Sequence, residues 1–324
     1  MTNKEIYRKT LGFSIRRLFF DLLTLILFAG CCIGGFLIAD KMTEKGLIGL
    51  LIGLVVGIVV AIILSRFVSY SLKAGQIAMM TRGITEDKLP DNVYREGKKA
   101  VKERFATVAA FFAITSAVKA IFSELGRGIT KLGNAVGGDT GSSIGSAVSA
   151  GIQTMVNYLC DCCLGWVFFR KQQGAVKAAC EGAVLFFKHG KTFFKNMGRI
   201  FGMGLVSLLL IGGAFSAGFY ALFQQFPAAF TNLAAEISEA AVRLEREIPA
   251  ILTNPATLII VCAVIAGIVV WSVLHSVFVK PLVLTGVLRN YLESGIKDIP
   301  TEASFDEVAS KSRKFSKLQA KLEQ

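Results

Sequence analysis

The chain has 324 residues, 53% of them hydrophobic, with a mean hydropathy of +0.57 and a formal net charge of +13. Apolar stretches long enough to cross roughly 30 Å of hydrocarbon recur along its whole length. That pattern predicts an all-α polytopic membrane protein and leaves no room for a large soluble domain.

Taken in chain order, Lys4, Arg8, Lys9, Arg16 and Arg17 precede a first apolar run from Leu18 to Ala39. The run is about twenty residues long, lacks a small-residue cleavage site and leads into another span, so it reads as a retained helix rather than a secretory signal. Before it, Tyr7, Leu11, Ile15 and Leu18 recur at helical spacing among basic residues. This predicts an amphipathic helix over 1–17 lying in the cytoplasmic interface. Spans are expected at 18–39, 46–65, 105–122, 151–169, 200–223 and 256–279, a six-span domain over 18–299 followed by a basic helix over 300–324. Only Asp40 to Lys45 separates the first two spans, so they pack as antiparallel neighbours. Gly30 and Gly34, and then Gly49, Gly53 and Gly57, supply small faces for close helix approach, within the chain or in a homo-oligomer.

Residues 126–151 are rich in Gly, Ser and Ala. Gly137, Gly141, Gly145 and Ser149 recur every four residues, so after an Asp139 N-cap a helix over 139–169 would run about 31 residues, roughly 46 Å. This exceeds the hydrocarbon thickness, and the segment is either re-entrant or an exterior loop. Its Gly-Gly-Asp-Thr-Gly-Ser-Ser run lacks the lysine of a phosphate loop, which excludes nucleotide binding. Between Pro227 and Pro249, Leu233, Ile237, Ala240, Leu244 and Ile248 form one stripe, with Glu236, Glu239, Arg243 and Glu247 opposite, and Glu239 and Arg243 at pairing distance. A helix over the outer mouth is expected there. In the tail, Ser304-x-x-Glu307 reads as a capping box. It opens a helix with Phe305, Val308, Phe315, Leu318 and Leu322 on one side, which docks under the protein or binds a partner.

Of the 36 Lys and Arg, 29 fall in 1–17, 66–104, 170–199 and the stretch from Lys280 onward, six fall in the opposite loops, and Lys119 lies within the third expected span. By the positive-inside rule both termini are cytoplasmic, in a cell membrane. The basic clusters, such as Arg95, Lys98, Lys99, Lys102 and Arg104, carry no base-stacking or groove-reading motif. The expected partners are therefore membrane lipids, anionic headgroups on the cytoplasmic face, and no nucleic acid.

An ionisable residue inside a span is the best pointer to function. Asp21 and Lys119 lie about one turn from span ends, and His275 near the inner end of the sixth span. Asp161 falls near the middle of the fourth. Thr154, Asn157 and Tyr158 precede Asp161 by helical spacings and Gly165 continues the face, so the fourth span has a polar stripe. Either Asp161 is satisfied by a neighbouring helix, or Asp161, Asn157, Thr154, Tyr158 and His275 belong to a solute path. Cys160, Cys162 and Cys163 point in different directions on a helix and histidines are scarce, so neither a metal nor another cofactor is expected. No nucleophile, base and acid set is present, so no enzyme is expected. The expected function is transport or permeation of a small solute or ion; the alternative is a non-transporting scaffold or lipid-associated regulator.

From about Ala178 onward, the sequence resembles the C-terminal part of the choline transporter-like family. The resemblance rests on Glu181 to Lys188 with its paired aromatics, Phe193-Phe194-Lys195-Asn196, and a last span running through Val279-Lys280-Pro281-Leu282 into Leu288-Arg289-Asn290-Tyr291-Leu292-Glu293. It covers under half the chain. It implies movement of a small organic cation and carries over no site residue.

Overall fold

A computed structural model describes the backbone of residues 1–43, 46–64, 68–134, 142–194, 197–243, 249 and 253–322; the side chains of 43, 47, 125–152, 191–197, 199, 240, 241 and 243 lie outside the described residues. All regular elements among the described residues are helices, as an all-α membrane protein requires. Two compact units divide the chain, one of Met1–Ile200 with Lys280–Gln324 and the other of Phe201–Val279.

The first unit begins with α1, Asn3–Thr43, a single helix of 41 residues. At 1.5 Å per residue it is roughly 60 Å long, about twice the hydrocarbon thickness. The expected interfacial helix and first span are thus one uninterrupted element. Its inward face is also offset from the expected stripe: Ile6, Thr10, Phe13 and Ser14 are buried, whereas Ile15 is exposed. The reason is packing on the protein: Gln76 donates to Ser14 Oγ at 3.1 Å from the third helix. Helix α2, Gly46–Leu64, has 19 residues and folds back along α1. A Cβ on Gly49 would overlap the Gly35 carbonyl, and one on Gly53 the Cys31 carbonyl, so the backbones touch there. Gly30 and Gly34, by contrast, face open space.

The rest of this unit is a helical body: α3 Tyr70–Thr85, α4 Val93–Glu103, α5 Phe105–Asn134, α6 Ser142–Phe169 and α7 Ala175–Phe194. Three further helices complete it, α12 Lys280–Lys297, α13 Glu302–Lys311 and α14 Arg313–Gln319. Helix α6 lies at the centre, packed by α3, α5, α7 and α12. Trp166, Cys162 and Cys163 are fully buried there, as are Phe122 on α5, Phe186 on α7 and Tyr291 on α12. Burying each Phe contributes roughly 2–3 kcal/mol, and the Phe122–Phe186 pair meets edge to face at 5.3 Å. Tyr291 Oη donates to the Gly182 carbonyl at 2.7 Å, which satisfies the one polar atom that ring brings inside.

Among the described residues, Asn3–Met42, Phe105–Glu124, Ile200–Phe223 and Pro255–Lys297 are long and apolar enough to cross a membrane, and Ile48–Leu64 is a shorter apolar helix. The fourth expected span, 151–169, differs. From Met155 to Phe168 its side chains are almost all buried against protein, so its hydropathy reflects a core and not a lipid face. The third, 105–122, belongs to the same body. Ser312 Oγ donates to Glu124 Oε2 at 2.8 Å, and α14 packs on α5 and α7. A crossing between 105 and 122 would separate Glu124 from a cytoplasmic tail by the whole bilayer, so that span and that side for the tail are mutually exclusive. Large exposed apolar side chains of this unit run along α1 from Phe19 onward and along α2; elsewhere among its described residues only Ile15, Phe105, Ile296, Ile299 and Leu322 are exposed.

The tail folds onto this body with Phe305, Val308, Phe315 and Leu318 buried. It does so as two helices, α13 and α14, broken at Ser312, whose side chain caps α14 by accepting from Phe315 N at 3.1 Å. The expected capping box does not form, because α13 starts earlier: its N-cap is Thr301, whose hydroxyl lies 3.2 Å from Ser304 Oγ. Of the Gly-rich segment, Gly137, Asp139 and Gly141 lie outside the described residues, while Gly145 and Ser149 are in the first turns of α6.

The second unit contains α8 Met197–Ser207 from Phe201 onward, which passes through a π-helical turn at Leu208–Gly212 into α9 Gly213–Phe223. Helix α10, Pro227–Arg243, covers the first part of the expected stripe, where Leu233 is exposed and its neighbour Ala234 buried; the side chain of Ala240 and residues Leu244, Glu247 and Ile248 lie outside the described residues. Helix α11, Pro255–Leu274, is capped by Asn254, which accepts from Ala256 N at 2.9 Å, and ends in a second π-helical turn, His275–Val279. Packing between α9 and α11 is closest where Gly267 meets Ser216.

Candidate functional site

Asp161 on α6 is 5% exposed and sits between two lysines from other helices. Lys73 Nζ of α3 is 2.5 Å from Oδ1, and Lys280 Nζ, at the first residue of α12, is 2.9 Å from Oδ2. The Lys280 contact lies outside hydrogen-bond alignment, so Oδ2 is held by charge rather than by a directed donor. Both lysines are about one-fifth exposed (23% and 21%). They bring the charge and keep a route to water, and a carboxylate this deep would otherwise be prohibitively unstable. Lys280 also stands 5.4 Å above the Tyr158 ring.

The group opens on a cavity of about 190 Å³ lined by Tyr70, Lys73, Lys119, Asn157, Asp161 and Lys280, with Phe111, Phe112 and Leu164 as its apolar walls. A second depression of about 430 Å³ shares Tyr70, Lys73, Phe112, Thr115 and Lys119 with the first and extends it to Arg17, Asp21 and Ser69. Arg17 Nε is 3.6 Å from Asp21 Oδ2, and Ser69 Oγ donates to Asp21 Oδ1 at 2.7 Å. The outer end is thus balanced. The inner end is not: three ammonium groups line it against one carboxylate, and no carboxylate among the described residues lies within ion-pair distance of Lys119. Tyr70 Oη is buried beside Thr115 without an aligned hydrogen bond.

Of the residues expected to form a path, Asp161 and Asn157 line this cavity, Tyr158 packs beneath Lys280, and Thr154 is half-buried and not among the lining residues. His275 belongs to the second unit. There its Nδ1 is 3.0 Å from Ser207 Oγ, which also accepts from Trp271 Nε1 at 3.1 Å and is 2.8 Å from the Gly204 carbonyl. That cluster joins two helices beside their π-helical turns. Sequence reasoning missed Lys73 and Lys280, which it absorbed into the basic flanks, and it placed Lys119 only as a charge about one turn from the end of a span. The available signal was arithmetic: a buried Asp needs a cation, and Lys280 directly follows an apolar span.

One other buried carboxylate of the body is satisfied internally. Glu181, 1% exposed, accepts from Trp166 Nε1 at 2.7 Å, Gln173 Nε2 at 2.8 Å and Arg170 Nε at 3.0 Å, a fully paired structural carboxylate. A cleft of about 570 Å³ between α3, α4 and the end of α6 sets Arg82, Lys99, Arg104 and Lys171 against Glu86, Glu96 and Glu103, one positive charge in excess. No group of three His, Cys, Asp or Glu among the described residues is placed to hold a metal. Burial pushes the Cys180 thiol up to about 12, which makes it unreactive near neutral pH.

Fold and site together define the class, an all-α membrane protein with a helical body and a cationic cavity where an apolar hairpin leaves that body. Compared with known proteins, the chain matches no family model, no curated protein and no solved structure, so its function is read from its own geometry.

Proposed function

We propose that this chain is a lipid-associated protein of the cell membrane whose basic body works against the anionic cytoplasmic leaflet. The observation that carries this reading is the division of its surface. Exposed large apolar side chains concentrate on α1–α2 and on the second unit, while the body of the first unit exposes few. Four crossings follow from this, by α1, by α2, by α8 with α9, and by α11. Ser312 against Glu124 keeps α5 and the tail on one side. Only Lys41, Lys45, Arg243 and Arg246 then fall in segments joining crossings at their far ends, out of 36 Lys and Arg. Both termini and the body are cytoplasmic in this arrangement. The test is unfolding temperature in nanodiscs of phosphatidylcholine alone against nanodiscs with about 30% phosphatidylglycerol. A rise of several degrees with the anionic lipid is expected, and identical transitions at low salt would overturn the reading.

Transport is the second reading, favoured by the continuity of the two cavities beside Asp161. Their positive excess suits a small anion better than the organic cation implied by the resemblance to choline transporter-like proteins. Liposomes loaded with chloride, phosphate or choline decide it. Flux above protein-free liposomes that falls at least tenfold in Asp161→Asn supports transport, and no flux of any of the three ends it.

A further inference from the structure

We infer that the cavity between α1, α3, α5, α6 and α12 is a binding site for one phosphate-bearing anionic lipid headgroup, with its inner end gripping the phosphate. The inference shares with the proposed function the placing of α1–α2 in the bilayer, but it concerns a single site rather than a general attraction.

Depth comes from the register of the hairpin. Gly49 meets Gly35, Gly53 meets Cys31, and Gly57 meets Phe28. Continued down the pair, this register brings Leu64, the end of α2, level with the region of Phe20 on α1. Helix α2 is 19 residues long, roughly 29 Å, which matches the hydrocarbon thickness. Its end therefore marks the hydrocarbon boundary. Arg17, Asp21 and Ser69, which rim the outer depression, lie at that level. Phe19, Leu22 and Ile26 are exposed from there outward, at 66%, 45% and 67%. A headgroup entering the depression would leave its acyl chains against these side chains.

Charge specifies the ligand. At the rim the one carboxylate among the described lining residues, Asp21, is already held by Arg17 and Ser69. Inside, Asp161 neutralises one ammonium equivalent and leaves two of Lys73, Lys119 and Lys280 uncompensated. An enclosed anion repairs that imbalance, and lysines, as compact point charges with three donors each, suit phosphate oxygens. Apolar walls at Phe111 and Phe112 lower the local dielectric and strengthen the attraction. A free phosphate offers the same chemistry without the chains.

Lys119 is the residue to test, because no carboxylate among the described residues pairs with it, so its removal strands none of them. Purified full-length protein in detergent is titrated with dioctanoyl phosphatidic acid, dioctanoyl phosphatidylcholine and inorganic phosphate, for the native chain, Lys119→Gln and the exposed-surface control Lys99→Gln. The expected result is phosphatidic acid binding at least tenfold tighter than phosphatidylcholine, weakened about tenfold by Lys119→Gln and unchanged by Lys99→Gln. Equal weakening by Lys99→Gln overturns the single site while leaving general leaflet attraction intact. Inorganic phosphate binding as tightly as the lipid overturns the lipid as ligand. Equal affinity for the two lipids overturns the inference outright. Flux measurements do not bear on it.

Discussion

Lys73→Met is the most direct probe of why Asp161 is tolerated in the core. The substitution keeps the length and apolar stem of the side chain but removes the ammonium 2.5 Å from Oδ1. Asp161, 5% exposed, is then left to Lys280, which approaches without hydrogen-bond alignment. Removing one partner of a fully buried pair costs about 3–5 kcal/mol; with a second lysine remaining and Lys73 partly solvated, about 2–3 kcal/mol is expected. For a body of this size that is roughly 4–12 °C in Tm. Asp161→Asn should cost less, about 1 kcal/mol, since both lysines are about one-fifth exposed and can turn toward water. The double variant Lys73→Met with Asp161→Leu should recover most of the loss, because no buried carboxylate is then stranded and Lys280, about one-fifth exposed, can turn toward water. Thermal unfolding followed by circular dichroism in a mild detergent measures all three. If Lys73→Met unfolds within a degree of the native chain, or if Asp161→Asn is the more damaging, the carboxylate is not held as described.

Gly53→Val should force α1 and α2 apart at the Cys31 carbonyl and lower Tm by several degrees, whereas Gly34→Val, facing open space, should leave it unchanged; a differential scan of both tests the contact. Gln153→Cys, exposed on α6, should react with a membrane-impermeant maleimide only from the cytoplasmic side, and Asn232→Cys in α10 only from the opposite side. Labelling of position 153 from outside would restore the crossing by α5. Cys180 should resist maleimide at pH 7–8 until the protein unfolds. Its thiol is raised from 9.0 to about 12, so folding favours the neutral form. That stabilisation is complete below pH 9 and is lost as pH climbs toward 12, which stability measured in alkaline buffers would follow.

Much of this architecture is legible in the sequence because the bilayer imposes it. The apolar runs and the short connection before Gly46 define a helical membrane protein with α1 and α2 as antiparallel neighbours, and the helical spacing around Asp161 picks out one polar face. Window hydropathy registers removal from water but not what replaces it, so the apolar run 151–169 is plain in the sequence while the protein that surrounds α6 from Met155 to Phe168 is not. The tail shows the same limit: its apolar stripe is plain in the sequence, but the break at Ser312 and the bond to Glu124 are set by the surface it docks on. Asp161 announces that a cation must be near. Which cations supply that charge, and that Lys119 joins them at the same cavity, is decided only when α3, α5 and α12 pack around α6, because side chains far apart in the chain become neighbours through helix packing and not through any local spacing.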